Sequence, residues 1–511
     1  MANSDGAKDQ YNGLGSLKTF QVVLKNVDSS VSVDITSQVI GFSIYEDIFS
    51  PTLYGDITIK DATNLLNGEP QLGNTIGFPI IGEEYIEVTY SIAEQKNIFR
   101  RFTVYAINNI SFDANLKIRN YILKFCSEEH LIDATTLIQK SWKDVPISDM
   151  VKDVLENYLK VNDSISGGKQ KKIYRIQPTK GSQQIVVPNL SPLETLNLFA
   201  RRSMAKDLFI SGTYLFFENK NGFNFCDIEY LIQDGRQNRT KNVDAYTYYH
   251  QDPRAGDNET TSTGEKPTNA YKTVMNLTQK HKFDTIEKIK NGYFESEIIV
   301  FDLSDRTIDT NVYKFLDKYK DFNALGNPNA EPPANNVYPE NSLDFIKNVT
   351  QEPSSPPKKL FGIFNFNKDA PAPGKHTKTF LIPNDNTKEP TYLNDIYVNR
   401  SSYMTRLAQN MYTVDTYGDT AIGAGDVITL ELPEVQGSTS KPGNDKYLSG
   451  YFLVASIHHK FTPESYHTTF DLYKNGFSVP AIATDTDDGQ LLPAALFPFT
   501  VQLDSITNAG K

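Results

Sequence analysis

From Leu17 to Phe125 apolar and polar residues alternate in short runs: Phe20–Leu24, Val31–Ile35, Gly55–Ile59, Tyr85–Tyr90, Phe102–Tyr105 and Tyr121–Phe125. Runs of period two separated by polar turns bury one face of a sheet and leave the other wet, which predicts an antiparallel sandwich or barrel over 17–125. The period then changes. Across Ile147–Leu159, Val151, Val154, Leu155, Tyr158 and Leu159 fall on one helical stripe, with Ser148 placed to cap it. A second helix is predicted from Ser191: Ser191 caps, Pro192 suits the first turn, Glu194 completes a capping box, and Leu193, Leu196, Leu198 and Phe199 give an apolar face. Residues 126–210 therefore read as an α/β unit inserted after the first β domain.

Tyr214–Phe217 and Phe223–Phe225 flank Asn221-Gly222, a strong hairpin signal because that pair tolerates positive φ. Residues 246–390 are rich in Pro, Asn, Asp and Lys, with modest strand-like runs such as Tyr293–Phe301, and read as an elaborated insertion. Strands resume after Tyr392 and run to Phe477. The predicted organisation is a loose arm at 1–16, a first β-barrel at 17–125 and the α/β unit at 126–210. A second, discontinuous barrel follows at 211–245 and 391–478, interrupted by 246–390, with a tail at 479–511.

The two β regions echo one another. Gly73–Phe78 matches Gly425–Leu430, and a strand ending Ile107-Asn108-Asn109 follows the first about as far on as one ending Ile457-His458-His459 follows the second. Each leads through a loop into a long alternating strand, Arg119–Phe125 and Tyr466–Tyr473. On this reading the Asn221-Gly222 hairpin is the separated first part of the second copy, and the chain carries two copies of one barrel.

Composition narrows the function. A formal charge of -11 argues against a duplex-DNA binder, since phosphate neutralisation supplies most of that affinity, yet it suits a channel through which nucleic acid slides without sticking. No run of apolar residues is long enough to span a bilayer, and Met1–Ser16 has neither the cationic start nor the apolar core of a secretory signal. Cys126 and Cys226 cannot build a disulfide framework, so thiols in a reducing compartment are the expectation.

Chemistry is sparse. The sequence holds no Gly-x-Ser-x-Gly elbow, no phosphate loop, no Cys-x-x-Cys and no His-Glu-x-x-His, so no catalytic, cofactor-binding or metal-ligating residue is assigned. Of seven histidines only His458, His459 and His467 cluster, and they read as strand residues. Glu128 and Glu129 near Asp133 read as a solvated helix start. Leu360, Phe361, Ile363, Phe364 and Phe366 form an apolar core between Pro-rich flanks. They read as a partner-docking segment or as a loop anchored on its own domain.

Gly423–Pro433, Gly450–His459 and Tyr466–Tyr473, taken together, resemble the closing module of the central baseplate hub proteins of contractile-tailed phages, a family related to the hub part of type VI secretion spikes. Leu53–Ile59, the region after Phe125, the two-helix insert and Ser191–Glu194 follow the family's layout, so the resemblance covers roughly 17–245 and 391–478. The large insertion and the tail depart from it. The resemblance implies a mainly β fold with α/β insertions, two similar antiparallel barrels per chain, and a homotrimeric ring of pseudo-six-fold symmetry. That ring is a virion component that adapts the six-fold tail tube to the three-fold central spike. It lets tape-measure protein and DNA pass, and it contacts the tail tube protein, the spike and surrounding wedge proteins. Assembly in the host cytoplasm, no membrane anchor, no cofactor and no enzymatic activity are expected. The short tail after Phe477 leaves no room for the OB-fold and needle that type VI spikes carry. The rival expectation is a baseplate-associated glycan-binding or cell-wall-degrading protein whose activity lies in 246–390.

Overall fold

The computed structural model describes residues 17–28, 31–62, 65, 80–92, 97–113, 118–161, 172–206, 210–241, 247–250, 272–282, 293, 295–302, 307–314, 322, 325, 379–384, 393–408, 410–432, 445 and 448–475. The docking segment Leu360–Phe366, the N-terminal arm and the C-terminal tail lie outside these residues.

Alternation becomes strand throughout the first region: β1 (Leu17–Lys25), β2 (Ser32–Asp34), β3 (Val39–Asp47), β4 (Tyr54–Asp61), β5 (Tyr85–Ile92), β6 (Ile98–Phe112) and β7 (Arg119–Cys126). They hydrogen-bond in the order β3-β4-β7-β6-β5-β1-β2. One face of each strand supplies the core, including Val22, Leu24, Phe42, Ile57, Ile86, Val88, Leu123 and Phe125.

The α/β unit follows: α1 (Glu128–Thr135), β8 (Ile138–Val145), α2 (Ile147–Asp153), β9 (Ile173–Ile176), β10 (Gln183–Leu190) and α3 (Pro192–Arg202). The capping box at Ser191 forms as predicted: Ser191 Oγ accepts from the Glu194 amide at 3.3 Å, and Glu194 accepts from the Ser191 amide at 3.2 Å. Ser148, however, does not cap its helix. Pro146 holds the cap position and the Ser148 amide donates to Thr179 Oγ1 at 3.0 Å. The helix widens to a π-turn over Val154–Tyr158, and its stripe packs Val151, Val154, Leu155 and Leu159 into the unit's core.

β11 (Tyr214–Asn219) and β12 (Gly222–Asp227) form the expected hairpin, with Gly222 at φ +121°. Its placement differs from the expectation. β12 pairs in parallel with β9, so the hairpin extends the α/β unit and is not part of the large sheet. Both faces of the hairpin are apolar, and each takes a separate core: Tyr214, Phe216, Phe223 and Phe225 on one side, Leu215, Phe217 and Cys226 on the other. Helix α4 (Ile228–Lys241) follows directly.

The next strands are β13 (Thr247–His250), β14 (Thr273–Lys282), β15 (Glu295–Asp302), β16 (Thr307–Lys314) and β17 (Thr379–Asn384). β15, β16 and β17 make a separate three-stranded sheet. β13 and β14, within the stretch expected to be an insertion, instead join the large sheet. After Tyr392 the chain forms a helix, α5 (Leu393–Leu407), where strand was expected. Its buried face carries Asn399, Ser402 and Arg406 beside Ile396, Tyr403 and Leu407, so polar side chains break the apolar stripe that would announce it. β18 (Asn410–Tyr417), β19 (Val427–Glu431), β20 (Gly450–Phe461) and β21 (Tyr466–Lys474) complete the chain.

These last four strands and β13 and β14 pair in the order β14-β18-β21-β20-β19-β13, and β13 returns to β14. The six strands therefore close on themselves around Tyr248, Val414, Ile428, Phe452, Val454, Ile457, Phe470 and Leu472. The order repeats that of β3-β4-β7-β6-β5-β1. The registers repeat as well. Leu123 lies opposite Ile57 and Ile107, and Phe470 lies opposite Val414 and Ile457. Both long hairpins are bulged at the same place, Val104/Ala106 and Val454/Ser456. Ile86 faces Phe102 as Ile428 faces Phe452, so β19 takes the position of β5. The sequence match of Gly425–Leu430 to Gly73–Phe78 therefore does not pick equivalent strands, and 73–78 lies outside the described residues. The first half differs in three respects: β1 pairs antiparallel with β5 where β13 pairs parallel with β19, so the second unit is not wholly antiparallel as expected; β6 has a further bulge between Asn108 and Ser111 that β20 lacks; and among the described residues β2 does not pair with β3, so no closed circuit forms there.

Candidate functional site

The two halves are one thirteen-stranded sheet because β20 serves both. Its first residues pair with β19, Phe452 opposite Ile428, while Ser456–Phe461 pair with Asp47–Phe42 of β3. A twelve-residue strand is long enough for this change of partner, and the bulge at Val454/Ser456 in its pairing with β21 falls where the partner changes.

Apolar contact closes the seam. Phe461 and Tyr466 come from the second half but are buried in the core of the first. Phe461 stacks on Tyr466 with ring centres 4.3 Å apart, and it meets Tyr90 at 4.6 Å and Phe42 at 5.9 Å. Aromatic rings in such offset and edge contacts add to their burial energy.

A polar chain runs through the same seam. β3 alternates inward at Phe42, Ile44 and Glu46, so the alternation itself carries a carboxylate into the interior. Glu46 Oε1 lies 3.6 Å from His459 Nε2, and Glu46 Oε2 accepts from the Ala424 amide at 3.0 Å. His459 Nδ1 is 2.7 Å from the Tyr466 hydroxyl, which donates to the Asp419 carbonyl at 3.3 Å. Tyr248 donates to the Asp419 carboxylate at 2.9 Å. Burial alone pushes the Glu46 carboxyl up; the His459 imidazole, the Ala424 amide and the charge of Lys220 outweigh that and hold it below its ordinary value. Gly418 opens this loop because a Cβ there would lie 1.9 Å from the Tyr466 ring.

The hairpin turn clamps the 418–426 loop from outside. Asn219 Nδ2 donates to the Ala424 carbonyl at 2.9 Å, Lys220 donates to the Ala421 carbonyl, and Arg100 donates to the Lys220 carbonyl at 2.6 Å. A cleft of about 570 Å3 lies beside this turn, but its two cations, Arg100 and Lys220, are both engaged in these bonds.

Glu129 corrects the expectation of a solvated helix start. It is 8% exposed and accepts from Lys172 Nζ at 2.5 Å, while the same ammonium lies 2.7 Å from Glu218. Glu218 also accepts from the Leu53 amide at 3.0 Å and from Ser127 Oγ at 2.6 Å, so β11 is tied to the start of β4 and to α1. Burial works against the Lys172 charge, but two flanking carboxylates overcome it and push the ammonium up. Two carboxylates share one cation, and Glu129, desolvated and facing Glu218, is accordingly pushed up.

The three clustered histidines do not converge. His458 and His459 are consecutive on β20 and point to opposite faces. His459 enters the seam, His458 stacks on Tyr45 at 4.2 Å, and His467 lies opposite Lys460 with its ring 5.8 Å from Tyr417. Among the described residues no group of three His, Cys, Asp or Glu side chains is placed to hold a metal ion. Cys126 and Cys226 are both buried free thiols, and burial pushes each up to about 12. Sequence reasoning missed Glu46, Glu218 and Asp419. For Glu46 the available signal was an acidic residue in the inward phase of a strand.

The arrangement is thus suited to holding two similar β units in fixed relation. No family model matches the chain, and no curated protein sequence matches it. Its structural neighbours are phage tail and baseplate proteins. It is similar to the tail protein from Neisseria meningitidis MC58, at 10% identity and a TM-score of 0.46 over 90% of this chain and 99% of that one. The tail protein of prophage MuSo2 from Shewanella oneidensis is similar at 10% identity and a TM-score of 0.47, over 89% and 99%. A component of the type VI secretion system of E. coli is similar at 8% identity and a TM-score of 0.36, over 87% and 76%.

Proposed function

We propose that this chain is the structural hub of a contractile phage-tail baseplate: a homotrimeric ring that joins the six-fold tail tube to the three-fold central spike. The observation that carries the reading is the repeat of strand order and register within one chain, with β20 joining the two copies in a single sheet. Three such chains around an axis present six similar β units on one side and three equivalent chains on the other. This is the symmetry change an adaptor between tube and spike requires. The first unit is 17–126. The second is built from β13, β14 and β18–β21, with the α/β unit and the hairpin outside both.

The excess of acidic residues supports a passage for tape-measure protein and DNA that does not retain either. The buried ionisable groups at the seam are spent on one another and on backbone amides, which accords with a structural role and no enzymatic one. Tail tube, spike and wedge proteins are the partners on this reading. Negative-stain images of the purified chain test it: three-fold rings with a central channel are expected, and monomers without rings would sink it.

A further inference from the structure

The turn between β11 and β12 is built into the α/β unit. Tyr214, Phe216, Phe223 and Phe225 lie in that unit's core, and β12 pairs with β9 from Gly222 to Phe225. The fit at the turn is close: a Cβ on Gly222 would lie 2.0 Å from the Ile173 carbonyl oxygen. Arg175 of β9 donates to the Asn224 side chain of β12 at 3.1 Å. The turn therefore follows β9, and with it the α/β unit.

The other face of the hairpin meets the second unit. Leu215 and Phe217 share a core with Ala424, Leu453 and Ala455. At the turn, Asn219 holds the Ala424 carbonyl, and the Lys220 ammonium lies 3.9 Å from Asp426. The gripped loop, 418–426, is fixed at its ends to the long strands. The Gly418 amide donates to the Tyr466 carbonyl, the Gly425 amide to the Val454 carbonyl, and the Val454 amide to the Asp426 carbonyl, each at 2.8 Å. Val454 lies at the bulge, between the residues of β20 paired with β19 and those paired with β3.

Each remaining link is a direct one. The Ala424 amide donates to Glu46, and Glu46 lies beside His459 inside the seam. Lys220 also acts on Glu46 through its charge, one of the groups that hold this carboxyl below its ordinary value. A shift of the turn would release the Ala421 and Ala424 carbonyls, slacken the Ala424 amide on Glu46 and withdraw the Lys220 charge at once. Glu46, left buried beside His459 alone, then takes up a proton more readily.

We infer that the turn Asn219–Asn221 is a latch through which the position of the α/β unit controls the closure of the seam between the two β units. The structure is the latched state. In the unlatched state the 418–426 loop and the polar part of the joint are released, while Phe461 and Tyr466 stay in the first core. A partner that binds the α/β unit better in its displaced position favours the second state by that difference in affinity. The latch is complete within one chain, so it goes beyond the hub reading and does not depend on it.

Amide exchange on the full chain tests it. Asn219→Ala and Lys220→Met are each expected to quicken exchange at Ala424, Gly425 and Val454 by about tenfold, the effect of one lost hydrogen bond on a local opening. Exchange along β8 and β10 should stay as in the wild type. Coupling is reciprocal, so Glu46→Gln, made on the seam side, should quicken exchange at Gln177, whose amide donates to the Phe225 carbonyl at 2.9 Å. Lys220→Met should also start the acid loss of stability at a higher pH, because the folded Glu46 carboxyl rises when that charge is removed. Asn219→Ala combined with His459→Gln, two side chains that bind different partners, is expected to depart from additivity by about threefold or more in the unfolding constant. Unchanged exchange at Val454 in both turn variants, or additive effects in the double variant, overturns the latch. Neither outcome bears on whether rings form.

Discussion

Glu46 and His459 come from opposite ends of the chain and meet 3.6 Å apart inside the seam, each almost fully buried. Neither could be buried alone at acceptable cost, and each is placed by the strand alternation that also places Phe42 and Phe461 beside them. The joint between the two halves therefore has an apolar part that supplies affinity and a polar part that fixes register.

The Glu46 carboxyl sits below its ordinary value in the folded chain, so its contribution is present above the ordinary carboxylate range and lost as pH falls through its folded value. Glu46→Gln is expected to cost about 1–3 kcal/mol at neutral pH by urea unfolding, with the difference from wild type shrinking under acid. A difference independent of pH would show that the carboxylate charge plays no part in the seam.

Phe461→Ala removes the ring that touches Tyr466, Tyr90 and Phe42 in the first core. A loss of about 3–5 kcal/mol is expected in chemical denaturation. Amide exchange should quicken first along β3 and β20, where the seam hydrogen bonds lie. Loss confined to β14 and β18 would place the main coupling elsewhere.

Burial, followed by the charges of Lys460 and His459, lowers the His458 ring to about 4. Its ordinary value is near 6.5, so between those values the unfolded chain takes up a proton that the folded chain refuses. Stability is expected to fall as pH drops from 6.5 toward 4, and His458→Gln should flatten that part of the curve. Thermal melts across the window decide it.

Lys474 is buried and donates to the Ser449 carbonyl at 2.7 Å, and burial lowers its ammonium to about 7. Above pH 7 the folded chain has released a proton that the unfolded chain keeps until about pH 10.4, so stability rises with pH over that range. Lys474→Met is expected to be more stable at pH 7 by at least about 1 kcal/mol, with the gap narrowing by pH 10. Parallel melts of the two proteins at both pH values measure it.

Much of the local structure was legible in the residues. The capping box at Ser191, the Asn221-Gly222 turn and six of the first seven strands depend on neighbours close in sequence, where steric and hydrogen-bond preferences act directly. β3 was not singled out, because Glu46 interrupts its inward apolar phase. Helix α5 was read as strand because Asn399, Ser402 and Arg406 occupy its buried face. In both cases a buried polar residue finds its partner far along the chain, and a local pattern cannot represent that.

The alternation within Val427–Glu431, Gly450–Phe461 and Tyr466–Tyr473 determined that these residues form strands and which faces turn inward, since side-chain direction in a strand is a local property. The sequence also contained the echo between the two β regions, though its Gly73 match named the wrong strand. Tertiary structure alone decided that β20 changes partner midway, that the hairpin belongs with β9, and that β13 and β14 close the second circuit. Pairing is a choice among edges with nearly identical backbone groups, and it is settled by which side chains the assembled cores can bury together.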